Sequence, residues 1–212
     1  MKNKSLALLF TILPLLLLCG CYTAKMSEPP RTALEQLVLS RSSDLAMEGV
    51  DLSWVRGKKI YVEEKYFDSY DKLYVIGLIR QHLNEAGGLL MKTDDKADMI
   101  VEIRSGGLGM DTSETLFGLP SLTVPVPLSG SLQTPELAFY KNTKANGIAK
   151  FALFAYARDT GEFVHSVGPV SGYARFHLYK LVGITWKRTN VEQLKKHPVP
   201  DHPTNSVASP TQ

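Results

Sequence analysis

Cysteine is almost missing from this chain: of 212 residues only Cys19 and Cys21 carry a thiol, and both precede position 22. The body of the protein therefore has no disulfide framework, no thiol nucleophile and no thiolate ligand for zinc. Charge of one sign is also scarce, with 24 Lys and Arg against 21 Asp and Glu and a net charge of +3. A dedicated nucleic-acid binder would carry a basic stripe, so that class is set aside. No apolar run reaches the 18 or so residues that a membrane-spanning helix needs. With 44% hydrophobic residues and unremarkable Gly and Pro content, the chain has the balance of one ordinary globular domain.

The first residues have a different character. Lys2 and Lys4 precede the apolar run Leu6 to Leu18, broken only by Thr11 and Pro14, which has the form of a secretory signal peptide. The run ends in Leu18, Cys19, Gly20 and Cys21, which resembles the lipobox of bacterial lipoproteins. The resemblance implies cleavage between Gly20 and Cys21 and lipidation of Cys21. Loss of residues 1–20 would lower the net charge to +1 by removing Lys2 and Lys4. Two or more acyl chains, at about 0.8 kcal/mol per buried methylene, give durable membrane anchoring without a span. Tyr22, rather than Asp, after the lipidated cysteine resembles the sorting pattern of outer-membrane lipoproteins. Residues 21–31, with Pro29 and Pro30, read as a tether reaching about 35 Å when extended.

A single domain is predicted over 32–190. Thr32 and Glu35 have capping-box spacing, and Leu34, Leu37, Val38 and Leu45 recur at helical intervals up to Gly49, predicting a helix over 33–48. A strand is predicted over 58–63 and a helix over 69–86, closed by Gly87 and Gly88. Residues 89–92 and 98–104 read as two strands of a hairpin, and 148–157 and 162–167 as a second hairpin around Asp159, Thr160 and Gly161. Gly168 and Pro169 are expected to interrupt the return strand, and 177–186 fits either an amphipathic helix or an irregular strand. The sum is an α+β two-layer sandwich, helices on a mostly antiparallel sheet, followed by a disordered tail over 191–212.

This order is similar to that of the periplasmic domains of curli-secretion-channel lipoproteins, penicillin-binding-protein activator lipoproteins and the amino-terminal domain of TolB. The likeness rests on Ala97-Asp98 opening a strand through Ile103 and on the Asp159-Thr160-Gly161-Glu162 turn. More closely, the runs Ile100 to Gly107, Thr134 to Ala138, Gly147 to Lys150 and Thr185 to Thr189 resemble a family of bacterial lipoproteins with no assigned function.

Residues 105–146 read as an apolar, Pro-rich insertion between the hairpins. Leu122, Val124, Val126 and Leu128 fall on one side of an extended chain, while Pro125 and Pro127 remove donors from the other. Such a strip either folds back as a lid over its own sheet or meets a partner. The curli-channel resemblance implies a membrane-barrel insertion, and the two prolines argue against a spanning strand here. Gly106, Gly107 and Gly109 lack the spacing of a dinucleotide or phosphate loop, and Asp94, Asp95 and Asp98 lack the Gly and Glu of a calcium loop. Ser129-Gly130-Ser131 is no nucleophile elbow. His82, His165, His177, His197 and His202 have no zinc spacing. Glu63, Glu64, Asp68 and Asp71 read as strand-end and helix-start acids rather than a general acid–base pair. Most aromatics, among them Tyr61, Tyr66, Phe67, Tyr70, Tyr74, Phe151, Phe154, Tyr156, Phe163, Tyr173 and Phe176, are assigned to the core.

No catalytic, metal-binding or cofactor residue is expected. The function that these features imply is a membrane-anchored periplasmic lipoprotein, held through Cys21 on the periplasmic face of the outer membrane. There it would bind other envelope proteins or its own copies as a non-enzymatic part of a transport, secretion or maintenance complex. The alternative is an envelope hydrolase or small-ligand-binding lipoprotein with a site beneath residues 105–146.

Overall fold

The computed structural model describes residues 31–69, 71–126 and 130–196, with the backbone alone for Pro125, Val126 and 130–133. Residues 1–30, including Gly20 and Cys21, lie outside the described residues, as do Leu128 and 197–212. Over 33–196 the fold is mixed α/β, dominated by one six-stranded sheet with few helices.

Helix α1 spans Ala33–Met47 and stops at Gly49, whose φ of +77° suits glycine. Strand β1 spans Lys59–Glu63, α2 Lys72–Glu85, and the two-residue β2 Leu89–Leu90. Two strands of 21 residues follow, β3 over Met99–Leu119 and β6 over Leu137–Ala157. Between them β4 (Thr123–Val126) and β5 (Gly130–Gln133) form a separate two-stranded sheet. Strand β7 spans Phe163–Leu181, β8 Ile184–Thr189 and α3 Glu192–Lys196. The large sheet has the order β2-β1-β3-β6-β7-β8.

The core sits where both helices meet the sheet. Ile60 and Val62 of β1, Val101 and Ile103 of β3, and Phe151, Leu153 and Ala155 of β6 are buried with Val75, Ile79 and Leu83 of α2 and Met47 of α1. Each large aliphatic side chain removed from water there contributes about 1.5–3 kcal/mol. A smaller cluster joins Val38 of α1 to Ala145, Ala174 and Phe176, closed by Val191 and by Leu194 of α3. Asp98 ties the start of β3 to β1, its carboxylate accepting the Lys59 amide at 2.8 Å.

Three expectations are corrected. Residues 89–92 and 98–104 do not form a hairpin: β2 and β3 each pair with β1, in parallel, on opposite sides. Residues 105–146 are not a loose insertion, because β3 and β6 pair antiparallel from Met99 and Ala157 out to Leu119 and Leu137. A register shift between Ser105 and Gly107 flips the alternation midway, which hides the strand from a period-2 reading. The expected interruption at Gly168 and Pro169 is a register shift in the ladder, where Phe151 pairs with Val170 and Leu153 with Val167 while β7 continues on both sides; the ambiguous 177–186 holds the end of β7, a turn and the start of β8. The domain also extends past 190, since Val191 is fully buried and Leu194 nearly so.

Candidate functional site

Beyond the core, the strands β3, β6, β7 and β8 project as an arm whose far end has no helix over it among the described residues. Register carries rows of neighbours across it: Phe117, Tyr140, Leu181 and Ile184 in one, and, two residues along each strand, Thr115, Asn142, Tyr179 and Trp186 in another. Tyr179 and Trp186 stack with centroids 5.5 Å apart. Phe117 and Phe139 meet with ring centroids at 6.5 Å. Asn142, buried in its row, has an Oδ1 with no hydrogen-bond partner among the described residues.

The end of the arm is apolar and wet. Phe117 is 71% exposed, Val182 71% and Ile184 70%, and Leu119, Leu137 and Phe139 are exposed beside them. Isolated exposed hydrophobics are ordinary, whereas these gather at the end of one ladder. Val182 adds a backbone signal. It opens the two-residue β7–β8 turn with φ +46°, followed by Gly183 at +84°. Both φ values are positive, the type I′ pattern that favours Asn-Gly, so a β-branched residue there is strained. Its amide donates to the Phe139 carbonyl at 2.9 Å.

The sequence-predicted strip lies in the β4–β5 hairpin. Leu122 and Val124 are exposed, at 59% and 45%, and therefore do not close as a lid. Thr134 pins the base: its amide donates to the Leu122 carbonyl and its Oγ1 accepts the Leu122 amide, both at 2.8 Å. Pro125 stands opposite Ser131 in a ladder that is all edge, where a missing donor is tolerated. Val126 is placed by its backbone opposite Gly130.

Charge on the arm is organised around Lys141, whose Nζ stands 2.8 Å from Glu136 Oε2 and 3.0 Å from Glu114 Oε1. Burial pulls the Lys141 ammonium down, but its hydrogen bonds to Glu136 and Glu114 outweigh that and hold its pKa above the usual lysine value. Burial, helped by Lys144 and Arg175, holds the His177 imidazole below its ordinary value; its Nε2 is 3.2 Å from Asn146 Oδ1.

The remaining titratable residues are dispersed. His165 stacks on Trp54 at 5.0 Å, Glu64 faces Arg80 at 3.8 Å, and Glu63 accepts the Lys65 amide. Among the described residues no group of three His, Cys, Asp or Glu could hold a metal ion. A cleft of about 260 Å³ opens between α1 and α2, lined by Leu37, Ser40, Tyr74 and Val75, and among the described residues of 105–146 only Leu108 reaches it. Tyr74 donates to Asp44 Oδ1 there at 2.7 Å. Sequence reasoning missed the end of the arm, although Phe117 and Leu119 lie in the apolar run Leu116 to Leu119 and Ile184 follows Leu181, Val182 and Gly183. It also placed too many aromatics in the core: Phe67, Phe151 and Phe176 are buried, whereas Tyr66, Phe163 and Tyr173 are exposed. Arg104 lies over the Phe154 ring at 4.8 Å on the same open part of the sheet.

Residues 15–186 match the family of unknown function DUF6655. The chain belongs to this family. No curated protein matches it in sequence. The DUF6655 match takes in both long helices and nearly all of the arm, up to Trp186 in β8. No helix among the described residues of this DUF6655 member is long and apolar enough to cross a membrane.

Proposed function

We propose that this protein is a membrane-anchored envelope lipoprotein that acts without catalysis, as a protein-binding or assembly component on the periplasmic face of the outer membrane. The observation that carries the binding role is the exposed apolar end of the arm, with Phe117, Val182 and Ile184 together in water. Holding such a group on a rigid ladder is unfavourable unless something covers it. The strained Val182 supports the same reading, because strain that persists in an exposed turn calls for a use of that side chain. The anchor rests on the lipobox-like Leu18 to Cys21. The two-layer arrangement, α1 and α2 together on one face of the sheet, is supported by the burial of Met47 and Val75 in one cluster with Val101 and Phe151.

Two measurements test it. Labelled palmitate should enter the chain at Cys21, and Cys21→Ala should abolish both labelling and retention in washed membranes; retention of that variant sinks the anchor. Chains that co-purify stoichiometrically in mild detergent should be lost when Leu122 and Val124 or Phe117 and Ile184 are changed to Asp. A wild-type protein that is monomeric and alone in its native membranes sinks the assembly role.

A further inference from the structure

The arm has two open edges of opposite charge. The Ser105 amide donates to the Tyr66 carbonyl at 3.2 Å. Beyond it, among the described residues, β3 has no strand along its outer side as far as Leu119, and β8 has none along its outer side. Residues 105–119 contain no Lys, Arg or Pro, the residues that usually protect an edge. Their only charges are Asp111 and Glu114, whereas β8 carries Lys187 and Arg188 and no acid. The trio of Glu114, Glu136 and Lys141 has two acids to one base, so the ion pairs there leave the β3 side acidic.

Direction and level match as well as charge. Strands β3, β6, β7 and β8 are antiparallel at each step, so β8 runs opposite to β3. Following the pairings across the sheet, Glu114 is level with Lys187, Ser113 with Arg188, and Phe117 with Ile184. We propose that a second copy of this chain docks its β8 antiparallel against the β3 edge of the first, head to tail, continuing the sheet. An equally oriented neighbour then sets Lys187 near Glu114 and Arg188 diagonally across from Asp111, and brings Phe117 against Ile184. Pairing of β3 with β3, or β8 with β8, instead sets like charges against each other. The contact is heterologous, so it builds a ring or a filament rather than a closed pair. This inference rests on the assembly role proposed above and names the partner at that surface.

The experiment uses the full chain in mild detergent, with sedimentation as the readout. Asp111→Lys and Arg188→Glu, both at exposed positions, should each weaken self-association about tenfold or more, since each replaces an attraction across the edge by a repulsion. An equimolar mixture of the two variants, or both substitutions in one chain, should restore wild-type assembly. Unchanged thermal unfolding shows that each variant folds. As an independent measurement, Ser113→Cys mixed with Arg188→Cys should give a disulfide mapped to those two positions, which neither variant gives alone. A wild type that is monomeric at about 100 µM, or charge variants whose defect the mixture does not repair, overturns the edge pairing. If the wild type is monomeric but still holds a different chain that Leu122→Asp and Val124→Asp release, the pairing fails while the broader assembly role stands.

Discussion

A Cβ placed on Gly172 would stand 2.0 Å from the carbonyl oxygen of Ser42 and 2.4 Å from the amide nitrogen of Ala46. Helix α1 thus crosses β7 backbone against backbone, and one strand over, a Cβ on Gly147 would meet Val38 Cγ1 at 2.6 Å. The base of the arm is held by the absence of side chains at these two positions as much as by the apolar contacts around them.

Gly172→Ala should therefore destabilise the fold by about 1–3 kcal/mol, because backbone atoms rather than a flexible side-chain tip must give way. Gly109→Ala is the control: no atom stands within 4 Å of a Cβ there, so its effect should stay within about 0.5 kcal/mol. Urea unfolding of the two variants checks the difference.

Val182→Asn should stabilise the chain by about 0.5–1 kcal/mol, since Asn tolerates a φ of +46° ahead of Gly183 far better than a β-branched residue. If the Val182 side chain serves assembly, the same variant should gain in unfolding midpoint and lose in native mass. The two readouts moving in opposite directions would separate use from accident.

Leu122→Asp with Val124→Asp should leave the unfolding midpoint nearly unchanged, because both side chains already project into water. Co-purification should fall instead. A large loss of stability would show that these residues are core after all.

Tyr74 gives a pH signature at the α1–α2 contact. Partial burial, then its hydrogen bond to Asp44 and that residue's charge, push its phenol up to about 12, against a small opposing effect of Arg41. A raised pKa means that the fold favours the protonated phenol. The contribution is therefore complete below pH 10 and lost as pH rises from 10 through about 12. In absorbance titration at alkaline pH, Tyr74→Phe should remove a tyrosine that ionises near pH 12. Between pH 9 and 11.5 its urea midpoint should fall less than that of the wild type.

Much of the root of the fold could be read locally. The Thr32 and Glu35 spacing with Gly49 located α1, the run from Lys59 to Glu63 located β1, and Asp159-Thr160-Gly161 located the turn into β7, where the Gly161 amide donates to the Ala157 carbonyl at 2.9 Å. Short apolar strands look alike whether they pair in parallel or antiparallel, which is why β2 and β3 were assigned to a hairpin rather than to the two sides of β1. The arm was illegible for another reason. Over 111–115 every residue is solvent-exposed, so hydropathy does not alternate, and the shift at Gly107 breaks the phase with Val101 and Ile103.

The sequence by itself determined the two long helices, the first strand, the turn chemistry and the lack of any motif for thiol, zinc or phosphate chemistry, because capping, periodicity and residue spacing are local properties. Only the tertiary structure decided that 105–119 and 137–146 are paired strands of one arm, that Phe117 and Ile184 share a row at its exposed end, and that the arm has one acidic and one basic edge. Those features depend on pairing between residues far apart in the chain, and long-range register is written in no single segment.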